Sequence, residues 1–106
     1  MTRRAITTTS AADADIRDIA SYLALDNPQI ALKFEREFSD ALIRTSDAPN
    51  IGHMVQGSPG DFLVVRVSQR FRRYLVFYRY LDEKTIEVVR VIHGARDVSL
   101  AFAKAK

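Results

Sequence analysis

The chain has 106 residues, 47% of them apolar, no cysteine and a formal net charge of +3. That length fits one domain spanning residues 1–106, which buries only about two-thirds of its unfolded surface. Without cysteine there is no disulfide framework and no thiolate metal site. Residues 1–15 hold no continuous apolar core of the secretory kind, and no run nears the ~20 apolar residues of a membrane span, so a cytoplasmic location is expected.

Residues Arg3 to Thr9 read as a strand, with Ile6 and the threonines favouring extended backbone. Ser10 is the expected N-cap of a first helix, with Asp13 in its first turn, where the helix dipole favours a carboxylate. Ile16, Ile19, Ala20 and Leu23 fall at i, i+3, i+4 and i+7 and form its apolar face. Asp26-Asn27-Pro28 ends this helix and starts a second. Asn27 caps, and Pro28 takes the first helical position, where its missing N–H costs nothing. Ala31, Phe34, Phe38, Ala41 and Leu42 form the second apolar stripe, and the short connection makes the two helices an antiparallel hairpin.

Asp47 to Gly60 is rich in proline and glycine and reads as a loop. Three strands are expected at Phe62–Ser68, Arg72–Tyr80 and Thr85–His93, with turns at Gln69-Arg70 and Asp82-Glu83-Lys84. Short turns make these an antiparallel meander. Gly94 ends the sheet, and Val98 to Lys106 form a short C-terminal tail. The fold class is α+β in the order β-α-α-β-β-β, with the helical hairpin packed on one face of a small antiparallel sheet.

The strands are apolar on both faces. Leu75 and Phe77 lie opposite Tyr74, Val76, Tyr78 and Tyr80; in the last strand Val89 and Val91 lie opposite Ile86, Val88 and Ile92. Two helices cover one face only, so the second meets either another chain or the C-terminal tail.

Charge is divided along the chain. Ser10 to Asp47 has four basic and eight acidic residues, whereas Asp61 to Arg96 has eight basic and four acidic. The basic half suits an acidic partner or nucleic acid, or is a solvated strand face. Arg66, Arg73, Arg90, His93 and Arg96 are the one cluster able to bind anions or do chemistry. A histidine beside arginines could serve acid–base cleavage of RNA, or be a hydrogen-bonded strand end. The tyrosines and Phe71 could stack on bases, although strand alternation favours packing. His53 stands apart from other ligand types, so no metal or cofactor site is expected. Glycines 52, 57, 60 and 94 do not form a phosphate loop, and no Gly-x-Ser-x-Gly occurs.

The element order resembles the RelE/ParE family of type II toxins, and its ParE-like branch most. The resemblance is carried by ADIRDIASYLA and ALKFEREFSDAL in the helices, and by RRYLVFYRY and IEVVRVIHGARD at the end. It covers about residues 10–98, and the RVIHGARD run is its most specific part. The ParE branch implies a toxin that inhibits DNA gyrase without a catalytic site and is neutralised by a ParD-like antitoxin. No direct sequence-specific DNA binding by the toxin alone is implied. The RelE branch implies instead a ribosome-dependent mRNA endonuclease, here using His93, Arg66 and Arg90. That branch carries an arginine where this chain has Leu75, and a late aromatic residue for which only His93 could substitute. The target-binding edge is expected at Arg73, Arg90, His93 and Arg96. The antitoxin is expected on Tyr74, Val76, Tyr78, Leu81 and Arg66, its disordered segment folding onto the toxin.

Overall fold

A computed structural model of the chain describes residues 4–48, 53–54 and 62–94, the short middle segment by its backbone alone. The elements are β1 (Ala5–Thr8), α1 (Ser10–Asp26), α2 (Pro28–Asp47), β2 (His53–Met54), β3 (Leu63–Arg66), β4 (Tyr74–Asp82) and β5 (Thr85–His93). The expected order holds, with one addition. The two-residue β2 lies in the stretch read as loop, paired antiparallel to β3. Such a short strand has no periodicity to read. The C-terminal tail lies outside the described residues.

The five strands form one sheet in the order β1-β5-β4-β3-β2. The meander is antiparallel, but β1 pairs parallel to β5, with Ala5 opposite Thr85 and Thr8 opposite Val88. A parallel pair needs a long connection, and everything between β1 and β5 supplies it. Thr9, not Ser10, caps α1: its backbone is extended and its Oγ1 accepts the Ala12 N–H at 3.0 Å. The same hydroxyl donates to the Val89 carbonyl at 2.7 Å, which ties the helix start to β5. Asn27 and Pro28 act as the sequence implies, Asn27 Oδ1 accepting the Gln29 N–H at 2.9 Å.

The main core lies between helices and sheet. Ala12, Phe34, Phe38, Phe71, Val67, Val76, Val88 and Val91 are buried there, flanked by Ile16, Ile19 and Leu23. The other face holds Phe77 and Ile92, with Phe62, Val64, Leu75 and Val89 around them. This partition corrects simple alternation along β5. Phe77 pairs with Arg90 but Tyr78 with Val88, so Val89 is an extra residue. A bulge of this kind flips the parity of the residues beyond it, putting Val88 with Val91 and Val89 with Ile92. Phe77 and Ile92 are only 1% and 8% exposed in the single chain, so no second chain is needed to take the centre of that face out of water.

The β3–β4 connection also departs from expectation. β4 is displaced toward Asp82, and residues 67–73 replace the two-residue turn. The cause is Phe71, which turns inward to meet Phe34 edge-on at 5.4 Å between ring centroids. Burying a phenylalanine is worth about 1.5–3 kcal/mol, enough to favour a longer loop over a tight turn. At the other end of β4, Glu83-Lys84 make a tight turn held by Asp82 Oδ1, which accepts the Lys84 N–H at 2.7 Å.

Candidate target-binding end of the sheet

β3 stops at Arg66, β4 starts at Tyr74, and β5 stops at His93. The register sets Arg66 opposite Leu75 and Tyr74 opposite His93. One end of the sheet therefore gathers Arg66, His93 and the 67–73 connection with its Arg70, Arg72 and Arg73. The connection is built rather than loose. The Val67 N–H donates to the Tyr74 carbonyl at 3.0 Å, and the Tyr74 N–H to the Phe71 carbonyl at 3.1 Å. Ser68 Oγ accepts the Phe71 N–H at 3.1 Å, and Arg44 Nη2 donates to the Val67 carbonyl at 3.0 Å. With Phe71 as the inward anchor, its neighbours Arg70, Arg72 and Arg73 stay exposed.

Arg70 makes a loose 3.5 Å ion pair with Glu37. Arg66, Arg72 and Arg73 have no carboxylate partner among the described residues. Gly94 joins the end of β5 to this loop, its N–H donating to the Arg73 carbonyl. A Cβ at Gly94 would stand 2.5 Å from that same carbonyl oxygen, so only glycine permits the approach.

Arg90 is different. Its Nε donates to Asp15 Oδ2 at 2.7 Å and its Nη2 to Asp15 Oδ1 at 2.9 Å. Asp15 Oδ2 also accepts the Val91 N–H at 2.9 Å. β1 has ended at Thr8 opposite Val88, so from there the β5 edge lacks a strand neighbour among the described residues. Thr9 and Asp15 take over, accepting or donating where backbone would. Hydrogen bonding to Asp15 raises the Arg90 guanidinium above its ordinary pKa, helped by the carboxylate's charge and opposed by burial. Arg90 is thus a structural clamp between α1 and β5.

His93 is exposed, with its ring edge-on to Tyr74 at 4.9 Å. Among the described residues no side chain hydrogen-bonds to it, so nothing orients it as a general base. Burial raises the Tyr74 phenol above 10.0, and the nearby Tyr22 raises it further, so Tyr74 stays neutral at physiological pH. Arg96 lies outside the described residues. No group of three or more potential metal ligands occurs among the described residues, and no described helix is long and apolar enough to cross a membrane.

The residues expected to dock a partner divide sharply. Val76 and Tyr78 are 1% and 0% exposed and belong to the interior; a partner reaches neither while the helices are in place. Tyr74 is half-buried among Phe34, Phe71 and His93. Leu81 and Arg66 are on the surface. Sequence reading missed the apolar side chains that are most exposed: Tyr22 at 70%, Leu25 at 87% and Leu32 at 62%, all on the helical hairpin. Their signal was present, because all three fall off the stripes that bury Ile16, Ile19, Leu23, Phe34 and Phe38.

A family model described as the ParE toxin of the type II toxin–antitoxin system, parDE, matches residues 6–98. The chain belongs to the ParE toxin family. Among solved structures, one described as a chromosomal ParDE TA system from P. aeruginosa is similar. Its TM-score is 0.66 at 21% identity, covering 87% of this chain and 97% of that one. That likeness establishes the fold. No curated protein matches significantly.

Proposed function

We propose that this chain is a growth-arresting toxin that inhibits DNA gyrase in the cytoplasm and is neutralised by a ParD-like antitoxin. Family membership over residues 6–98 carries the proposal. The site chemistry supports it against RNA cleavage. Leu75 stands where the nuclease branch has an arginine, Tyr74 is a neutral phenol, and His93 has no orienting partner among the described residues. The arginines that remain open at the sheet end, with His93 and Arg96, are the target-binding edge. Arg90 contributes by holding β5 in place rather than by touching the target.

The antitoxin is assigned to the exposed apolar side chains Tyr22, Leu25 and Leu32, with Leu81 and Arg66 as further contacts. An amphipathic segment folding onto them buries apolar surface that the isolated chain leaves in water.

The test is a gyrase supercoiling assay with the purified chain, run beside ribosome-bound mRNA cleavage. The expected result is lost supercoiling, accumulated cleaved DNA and intact mRNA. Cut mRNA with gyrase unaffected contradicts the proposal and moves the activity to the nuclease branch.

A further inference from the structure

The stretch from Phe62 to Leu81 contains five arginines and no aspartate or glutamate. Four of the five, Arg66, Arg70, Arg72 and Arg73, come together where β3 ends and the 67–73 connection folds over. The fifth, Arg79, is neutralised on β4 by Glu87, with Nη2 to Oε1 at 3.0 Å. The charge is therefore concentrated at one end of the sheet rather than spread along it: Arg66, Arg72 and Arg73 have no carboxylate partner among the described residues, and Arg70 has only the loose 3.5 Å pair with Glu37. The geometry points to a phosphate-backbone binding site for nucleic acid, made by Arg66, Arg70, Arg72 and Arg73.

Two observations favour nucleic acid over an acidic polypeptide, since the planar fork of these arginines suits phosphate and carboxylate alike. Their loop is pre-ordered by the buried Phe71 and by its hydrogen bonds to Ser68, Tyr74 and Arg44, so little freedom is lost on binding. The loop also offers no apolar anchor. Its one large apolar side chain, Phe71, is buried, and the exposed large apolar residues are carried by other elements. A peptide that folds on binding needs such anchors, whereas a phosphate backbone needs only charge and donors. Contacts of this kind fall on the phosphate backbone and carry no sequence information.

The site uses arginines that the gyrase reading places on its target-binding edge, but it does not rest on that reading, and a test without gyrase lets either one fail alone. The whole chain is titrated by fluorescence anisotropy against duplex DNA, single-stranded DNA and single-stranded RNA probes of about 20 nucleotides. For four neutralised phosphates on duplex DNA, log K should fall with log salt at a slope of about −3 to −4. Arg72→Glu with Arg73→Glu should cost at least about ten-fold in affinity and flatten the slope by about 2. Arg17→Glu with Lys84→Glu changes net charge by the same amount from exposed positions on α1 and the β4–β5 turn, and should leave affinity within about two-fold. Arg72→Lys with Arg73→Lys retains the charge and should keep most of the binding. Circular dichroism and melting check that each variant is folded.

Preference among the three probes names the source of the phosphate, and binding to any of them with these variant effects supports the inference. Three results overturn it: no binding at low salt, equal losses from the two glutamate pairs, or competition by poly-glutamate as effective as competition by nucleic acid. The last would assign the loop to an acidic polypeptide.

Discussion

Arg90 and the arginines of the 67–73 connection lie toward the same end of one sheet, yet the fold uses them in opposite ways. Arg90 is folded inward onto Asp15, which also serves the Val91 N–H, and the trio closes the β5 edge where β1 has run out. Arg66 at the end of β3, and Arg72 and Arg73 on the loop that follows, are exposed, and that loop is held chiefly by Phe71 in the core. The lesson is that a count of arginines at a sheet end does not measure the charge available to a partner. What decides it is whether a helix carboxylate already holds each guanidinium.

The contrast can be broken at its foundation. Phe34 is fully buried and meets Phe38, Phe71 and Tyr74. Phe34→Ala should cost about 3–5 kcal/mol and release the loop along with the helices. Denaturant unfolding should show a lower midpoint with an unchanged slope if the variant stays two-state.

The clamp comes next. Asp15→Ala removes two hydrogen bonds from a largely covered guanidinium and one from a strand N–H, an expected loss of about 2–3 kcal/mol. Arg90→Ala should also destabilise, so lost toxicity in that variant reports on folding unless its melt is unchanged. By contrast Arg72→Ala with Arg73→Ala should shift stability by less than about 0.5 kcal/mol, because neither side chain has a partner to lose among the described residues. Equal destabilisation by the two sets of variants would erase the distinction.

Gly94→Ala sharpens the contrast by moving the loop against β5. The added methyl meets the Arg73 carbonyl at 2.5 Å, and a cost of about 1–3 kcal/mol is expected from the forced backbone shift. Native-state hydrogen exchange should place the opening at residues 67–73 and the end of β5; exchange unchanged there would show that the approach of the two segments matters little.

The smallest effect is at high pH. Burial holds the folded Tyr74 pKa above the unfolded value of 10.0, so between the two the native chain keeps a proton that the unfolded chain releases. Stability from this group is complete below the unfolded value and is lost as pH rises through the folded one. Denaturation midpoints measured upward from pH ~9 should fall less steeply in Tyr74→Phe than in the parent. Identical slopes would remove Tyr74 from the alkaline limb.

Much of this fold was legible from periodicity and punctuation. Both helices, their hairpin and the three-strand meander were readable in apolar spacing and in Asn27-Pro28. What escaped reading has particular causes. The bulge at Val89 inverts the alternation that sets strand faces, and no residue type announces it. The 67–73 loop is long because Phe71 prefers the core, a tertiary effect that outweighs the local turn signal at Gln69-Arg70. The Asp15–Arg90 pair joins residues far apart in sequence, so nothing local takes the arginine out of the expected target-binding edge. Val76 and Tyr78 were placed on a docking surface because strand alternation does not say which face the helices cover.

The most direct measurement is gyrase supercoiling with the parent chain and with Arg72→Ala/Arg73→Ala, both shown to melt at the same temperature. The expected outcome is that the parent stops supercoiling and accumulates cleaved DNA, while the folded variant leaves the enzyme running. A variant as inhibitory as the parent would contradict the division between a structural Arg90 and an open, functional arginine loop.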